Sequence, residues 1–124
     1  MLPFINGNIV LVGHSRGGQF LAKYLSKNTF PKPIRATVLV AAPFDDVGRG
    51  RSLTEFALSN SLEKMAQQSG QVYLLHSKDD PVVSFDHLGK YKNALPNAEA
   101  RVFTNRQHFN QESFPEIIDL IKNL

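Results

Sequence analysis

The sequence of 124 residues contains no cysteine and no long apolar run. The lack of cysteine excludes disulfides and thiolate metal sites, and nothing calls for an oxidising compartment. No apolar run approaches the roughly 20 residues that span a bilayer. The N-terminal "MLPFINGNIVLV" is interrupted by Asn6, Gly7 and Asn8 and lacks the basic region and cleavage site of a signal peptide. We therefore expect a cytoplasmic protein that does not enter the membrane.

Charge of either sign is also modest, with a formal net charge of +3. The basic residues are scattered, apart from "GRGRS" around Arg49 and Arg51. We interpret that cluster as a solvated loop rather than a nucleic-acid patch, and expect no nucleic-acid partner. The length suits a single domain over residues 1–124.

Four short apolar runs are predicted to be β-strands. The first three are nearly continuous in Val, Ile and Leu, which is typical of strands buried on both faces of a parallel sheet. The runs are Asn8–Val12, Ala36–Ala42, Gln71–His76 and Ala100–Thr104.

A helical pattern follows each of these runs. The predicted helices are Gln19–Lys27, Ser52–Gly70, Phe85–Leu95 and Phe114–Leu124. Ser52 and Glu55 have the spacing of a capping box, Gly70 suits the residue after a helix, and Pro115 lies where a first turn tolerates proline. Four repeated β-α units predict an α/β fold, with a mostly parallel four-stranded sheet flanked by helices in three layers.

"GHSRG", residues 13–17, lies between the first strand and the first helix and fits the pattern G-x-S-x-G. In a nucleophile elbow this pattern turns sharply and presents a serine, here Ser15, and the flanking Gly13 and Gly17 would avoid crowding. Gly18 would let the helix approach the sheet. The alternatives are a glycine-rich turn without chemistry and a phosphate-binding loop. The second is disfavoured because both common phosphate-loop patterns are absent.

A serine hydroxyl needs a base, and the base needs an acid that orients it. The third strand ends in "HSKDDPVVSF" and the fourth in "FTNRQHFN". Both segments follow the carboxyl ends of strands, as Ser15 does. Asp79 and Asp80 compete for the role of the acid.

Among the four histidines, His108 has the context of a base, because it follows the last strand in a short polar loop. His76 ends a strand and is expected to pack there. His87 falls in a predicted helix and is expected to be exposed. His14 would point away from the side chain of Ser15 if the turn is an elbow.

With these segments in place, the chain resembles the α/β-hydrolase superfamily, from about Asn8 to its end. More narrowly, it is similar to the small serine hydrolases typified by retinoblastoma-binding protein nine. The segments that carry the resemblance are "VGHSRGG", "VLVAAPFDD", "HSKDDPVVSF" and "HFNQESFPEIIDLI".

The resemblance implies a catalytic triad of Ser15, Asp80 and His108. Asp80 is preferred because the family's aspartate precedes a segment like "PVV", whereas Asp79 would shape the turn through local bonds. The backbone amide of Arg16 would supply the oxyanion hole. The implied activity is hydrolysis of a small-molecule ester, thioester or amide, without a metal or an organic cofactor.

The chain departs from the family at its front, because the elbow strand starts within the first dozen residues. The family's earlier strands, and a loop that gives a second oxyanion amide, would precede it. We therefore expect an N-terminally truncated domain that corresponds to the C-terminal part of the fold. A missing N-terminal segment or a homodimer would then cover the edge strand Asn8–Val12. The alternative function is a catalytically weakened, hydrolase-like fragment that acts as a binding or interaction module.

Two smaller departures lie in the loops. Gln107 stands where the family often has glycine, and Ser84 where it often has proline.

Overall fold

The computed structural model describes residues 9–44, 62–108 and 115–122. Strands and helices alternate along them. They are β1 (Ile9–His14), α1 (Arg16–Lys27), β2 (Ile34–Val40), α2 (Glu63–Gln68), β3 (Gln71–Ser77), α3 (Asp86–Ala94), β4 (Glu99–Phe103) and α4 (Pro115–Lys122). The predicted alternation is confirmed. The predicted cap at Ser52 and Glu55 and the arginines Arg49 and Arg51 lie outside the described residues.

The four strands form one sheet in the order β1-β2-β3-β4, and every neighbouring pair is parallel. Val12 pairs with Val38 and Leu39 pairs with Leu74, so the apolar runs lie side by side. Because all strands point the same way, their carboxyl ends meet at one edge of the sheet. Among the described strands, β1 stands at one end of this order.

Side chains that alternate along the strands build a core on each face of the sheet. Leu39 and Leu74 face one core, while Val38, Val40 and Leu75 face the other. The first core receives side chains from three helices: Ala22 and Leu25 of α1, Met65 of α2, and Leu88 and Tyr91 of α3. The second core receives Leu120 of α4. The predicted three-layer arrangement is therefore confirmed, with α4 alone on its face among the described helices.

The glycine and the proline predicted at helix ends lie where expected. Gly70 follows the end of α2 with a φ of 65°, a left-handed conformation that glycine adopts without strain. Pro115 is the first residue of α4, where the missing amide hydrogen costs no helical bond. Within the described ranges, no helix is long and apolar enough to cross a bilayer.

Candidate active site

Ser15 forms the turn between β1 and α1. Its backbone lies at φ 56° and ψ −124°, a region that non-glycine residues seldom occupy. The amide of Ser15 donates to the Val40 carbonyl at 2.8 Å, and its own carbonyl accepts from the Gly18 and Gln19 amides at 3.0 and 3.2 Å. The turn is therefore fixed from the neighbouring strand and from the first turn of the helix.

Two glycines make this turn sterically feasible. A Cβ atom on Gly13 would lie 2.5 Å from the Cα of Gly18, and one on Gly18 would lie 2.8 Å from the Cβ of Ala42. At Gly13 and Gly18 these close approaches leave no room for a side chain. The predicted crowding at Gly17 is not seen among the described residues, because a Cβ there would meet no described atom within 4 Å apart from its chain neighbours and its own helix backbone. Gly17 lies on the exposed side of the first helical turn, whereas Gly18 faces the sheet.

The structure brings Ser15, Asp80 and His108 together. His108 Nε2 lies 2.9 Å from Ser15 Oγ, and His108 Nδ1 lies 2.9 Å from Asp80 Oδ2. A carboxylate only accepts hydrogen bonds, so Nδ1 carries the proton and Nε2 is free to accept from the Ser15 hydroxyl. A serine paired in this way can lose its proton to the imidazole as it attacks a carbonyl carbon.

The carboxylate of Asp80 is fully buried, and each of its oxygens has partners. Oδ1 accepts from the amides of Val82 and Val83, both at 2.8 Å, and Oδ2 accepts from His108. These bonds form within "DPVV", so the backbone that directly follows the aspartate holds its carboxylate. The loop thereby holds the carboxylate within hydrogen-bond distance of the His108 imidazole.

His76 supports this loop from inside the core. Its side chain is 2% exposed, and Nε2–H donates to the Val83 carbonyl at 2.9 Å. Burial lowers the pKa of His76 below its ordinary value of 6.5, although the Val83 carbonyl and the carboxylate of Asp80 act to raise it. The predicted packing role is confirmed, and a neutral imidazole is the form that fits the site.

Asp79 joins the loop after β3 to the loop after β4. Its Oδ1 accepts from the hydroxyl of Ser77 at 2.5 Å and from the amide of Gln107 at 2.9 Å. The bond from Ser77 lowers the pKa of Asp79, and the Gln107 amide acts in the same direction. The bond to Ser77 is the local contact that the sequence predicted. The bond to Gln107 crosses between loops and was not predicted.

His14 and His87 have contacts that the sequence did not indicate. His14 Nε2 lies 2.6 Å from the carbonyl oxygen of His108, and the two ring centroids are 4.9 Å apart. His87 was expected to be exposed, which is wrong, since it is only 3% exposed. Its Nδ1 accepts from the Phe44 amide at 2.8 Å. The spacing of His87 and Tyr91, four residues apart on the buried face of α3, was the available signal.

Arg16 begins α1 directly after Ser15. Amides of a first helical turn have no carbonyl partner within their own helix, and they lie at its positive end. Such an amide can donate to negative charge that develops beside Ser15, and Arg16 stays the predicted donor. Among residues 9–44, 62–108 and 115–122, no group of three or more His, Asp and Glu side chains is arranged to hold a metal.

The chain is similar to proteins of known sequence and structure. It is 25% identical over 131 residues to the serine hydrolase RBBP9 of Rattus norvegicus, covering 99% of this chain and 68% of that protein. The crystal structure of the ydeN gene product from B. subtilis matches with a TM-score of 0.79 and 20% identity. That match covers 92% of this chain and 63% of the B. subtilis protein.

A third similarity is to a lipase-esterase related protein from Clostridium acetobutylicum, with a TM-score of 0.66 and 17% identity. It covers 94% of this chain and 65% of the clostridial protein. The chain thus spans slightly less than two thirds of these two solved structures, and at this identity they support the fold alone. The family model described as serine hydrolase matches residues 2–122. The resemblance inferred from the motifs is therefore confirmed, and the chain belongs to the serine hydrolase family.

Proposed function

We propose that the protein is a serine hydrolase of the esterase type that acts through an acyl-enzyme. Ser15 is the nucleophile, His108 the general base and Asp80 the acid that orients the imidazole. The observation that carries this proposal is the position of the His108 ring, with one nitrogen 2.9 Å from Ser15 Oγ and the other 2.9 Å from Asp80 Oδ2. Membership of the serine hydrolase family supports the same reaction class.

In the first half-reaction, His108 Nε2 takes the proton of Ser15 Oγ while the oxygen attacks the carbonyl carbon. Negative charge moves to the carbonyl oxygen, and the amide of Arg16 donates to it. The tetrahedral intermediate then collapses. The bond to the leaving group breaks, and His108 returns the proton to the departing alcohol, thiol or amine.

In the second half-reaction, a water molecule replaces the leaving group. His108 takes a proton from the water as its oxygen attacks the acyl carbon, and the Arg16 amide again donates to the oxyanion. Collapse releases the carboxylic acid and returns the proton to Ser15. Asp80 stays ionised throughout, because its role is to accept from Nδ1 and to stabilise the imidazolium that forms twice per turnover.

The environment of each group suits its part in this reaction. Asp80 is fully buried and bonded to two backbone amides, so its carboxylate keeps one orientation. His108 is 7% exposed, which shields the imidazole from competing water. Ser15 is half-buried and lies at the carboxyl edge of the sheet, where a substrate can approach.

Labelling by a fluorophosphonate probe tests the assignment of the nucleophile. The wild-type chain should gain the mass of one phosphonyl group, and Ser15→Ala should gain none. Ser84→Ala is a matched control, because Ser84 is an exposed serine whose hydroxyl accepts only from the Asp86 amide among described residues. Equal labelling of the wild type and Ser15→Ala would refute the proposed nucleophile. A stable but unlabelled wild type would favour the alternative of a binding module.

Hydrolysis of p-nitrophenyl acetate tests the acid. Asp80→Asn presents an amide in place of the carboxylate and favours the wrong tautomer of His108. In a triad this change lowers kcat by on the order of 10⁴-fold. Asp86→Asn, at the exposed start of α3, is the matched control and should keep kcat within about twofold. If Asp80→Asn and Asp86→Asn are equally active, Asp80 is not the orienting acid.

A further inference from the structure

We propose that Asp79 and His14 are positioning residues that hold the backbone of His108 from its two sides. Asp79 holds the backbone amide of Gln107, the residue before His108, and His14 holds the carbonyl of His108 itself. This inference rests on the proposed function, in which the His108 imidazole must reach two partners at once. Neither side chain is assigned a bond to the substrate or to the reacting atoms.

On the first side, Asp79 anchors the residue that precedes His108. Its Oδ1 accepts from the Gln107 amide at 2.9 Å and from the Ser77 hydroxyl. Ser77 Oγ in turn accepts from the Arg106 amide at 3.1 Å. Two successive amides of the β4–α4 loop are therefore bound to the end of β3 and to the loop that follows it. Asp79 and Ser77 act together as one anchor.

This anchor stabilises a conformation that the chain would not favour by itself. Gln107 has a φ of 51°, in the left-handed region, which is strained for a residue with a side chain. Such strain persists only where surrounding bonds enforce it. A bond from an amide to an ionised carboxylate is stronger than one between neutral groups, and this one acts on the strained residue itself. The left-handed turn directs the chain so that the next residue, His108, faces inward.

On the second side, His14 anchors the carbonyl of His108. Its Nε2 lies 2.6 Å from that oxygen, and a carbonyl can only accept, so Nε2 carries the proton. The ring also packs beside the His108 ring, with centroids 4.9 Å apart. His14 is the last residue of β1 and directly precedes Ser15. The bond therefore ties the segment that carries the proposed nucleophile to the segment that carries the proposed base.

The two anchors matter because the imidazole has little tolerance for displacement. Its two nitrogens must stay within hydrogen-bond distance of Ser15 and Asp80, which belong to different loops. A shift of about 1 Å in such a site can lower the rate about 100-fold. With both anchors in place, the backbone of His108 cannot move away from either partner without breaking a bond.

Paired variants test the proposal on the full chain. Asp79→Ala and His14→Phe remove the anchoring atoms. Asp79→Asn keeps an acceptor oxygen, and His14→Gln keeps a side-chain amide donor. Asp86→Ala removes an exposed carboxylate at the start of α3 and is the control. The rate of fluorophosphonate labelling should fall roughly 10- to 100-fold in Asp79→Ala and His14→Phe. The conservative variants should recover most of the loss, and the control should stay within twofold.

A second readout does not depend on turnover. The proton on His108 Nδ1, bonded to Asp80, is expected to give a low-field resonance in proton NMR of the wild type. That resonance should weaken or vanish in Asp79→Ala and His14→Phe, because a mobile imidazole exposes the proton to exchange with water. A purely structural loss would instead lower the unfolding temperature and leave the resonance of the folded fraction unchanged.

The outcomes separate the two proposals. Wild-type labelling rates and a retained resonance in both Asp79→Ala and His14→Phe would overturn the anchoring role. A wild type that does not label would overturn the proposed function. In that case the resonance still decides the anchoring role: its loss in these variants supports it, and its retention refutes it. If Asp79→Ala does not fold, the comparison of His14→Phe with His14→Gln decides by the same measurements.

Discussion

Gly13 and Gly18 are in backbone contact on either side of Ser15. A Cβ atom on Gly13 would lie 2.5 Å from the Cα and 2.7 Å from the amide nitrogen of Gly18. Real Cβ atoms do not approach backbone so closely, so the last part of β1 and the first turn of α1 can meet only as two glycines. This contact allows the chain to reverse over the single residue that carries the proposed nucleophile.

Alanine substitutions at the three glycines of this turn should differ in their effect on stability, according to the space around each position. Gly13→Ala and Gly18→Ala should each lower the free energy of unfolding by about 1–3 kcal/mol, because the added methyl group must displace backbone or Ala42. Gly17→Ala should keep or raise the stability by up to about 1 kcal/mol, since alanine favours a helix and the added atom meets open space. Urea denaturation measures all three. An equal loss in Gly17→Ala would contradict this reading of the turn.

Gly70 and Gly89 form a second matched pair. Gly70→Ala should be destabilising, because the residue has a φ of 65° and its Cβ would lie 2.6 Å from the Ile34 carbonyl oxygen. Gly89 lies inside α3, and apart from its own helix backbone no described atom lies within 4 Å of an added Cβ, so Gly89→Ala should stabilise the protein by about 0.5–1 kcal/mol. Thermal unfolding of both variants checks the prediction, and shifts of the same sign would contradict it.

Gln107→Gly should relieve backbone strain beside the site. Gln107 has a φ of 51°, and glycine adopts this conformation without the cost of about 1 kcal/mol that other residues bear. Added freedom in the unfolded chain offsets part of the gain. We expect a net stabilisation of up to about 1 kcal/mol, measured by urea denaturation. Gln107→Ala removes the same side chain but keeps a residue that is strained at this φ. An equal gain in unfolding free energy for Gln107→Ala and Gln107→Gly would therefore argue against backbone strain.

The buried His76 should make stability depend on pH. Its folded pKa lies below 6.5 because of burial, so near and below pH 6.5 the unfolded chain binds a proton that the folded chain does not. The contribution of His76 to stability is therefore complete above pH 6.5 and is lost as the pH falls from there towards the folded pKa. His76→Gln should show a shallower decline of the unfolding free energy between pH 7 and pH 5. Identical slopes in the variant and the wild type would exclude His76 as the source.

Much of the fold could be predicted because local pattern and packing agree. The continuous apolar runs required strands covered on both faces, and the helices between them required a parallel sheet. The ends of the elements were less predictable. The sequence pattern predicted a start at Gln19, because Gly17 and Gly18 are weak helix formers. α1 begins earlier, at Arg16, and Gly18 lies in its first turn in close contact with Gly13.

The residues of the candidate site could be predicted where the neighbouring sequence indicated their position. Ser15, Asp80 and His108 each follow a strand and sit in a recognisable segment. The contacts of His14 and Asp79 with the His108 loop have no such context, because they depend on how loops far apart in the chain face one another. His87 was misjudged for the same reason, since its partner is the amide of Phe44, 43 residues away.

The residues that meet around His108 are 93 and 28 positions away from it in the chain. They come together only when β1, β3 and β4 have all taken their places in the sheet, on opposite sides of β2. A partly assembled sheet would leave the serine as an ordinary hydroxyl. In the proposed mechanism, the appearance of reactivity towards a fluorophosphonate during refolding would therefore time the last step of sheet assembly. The reagent that tests the chemistry would thus also report the rate at which the sheet assembles.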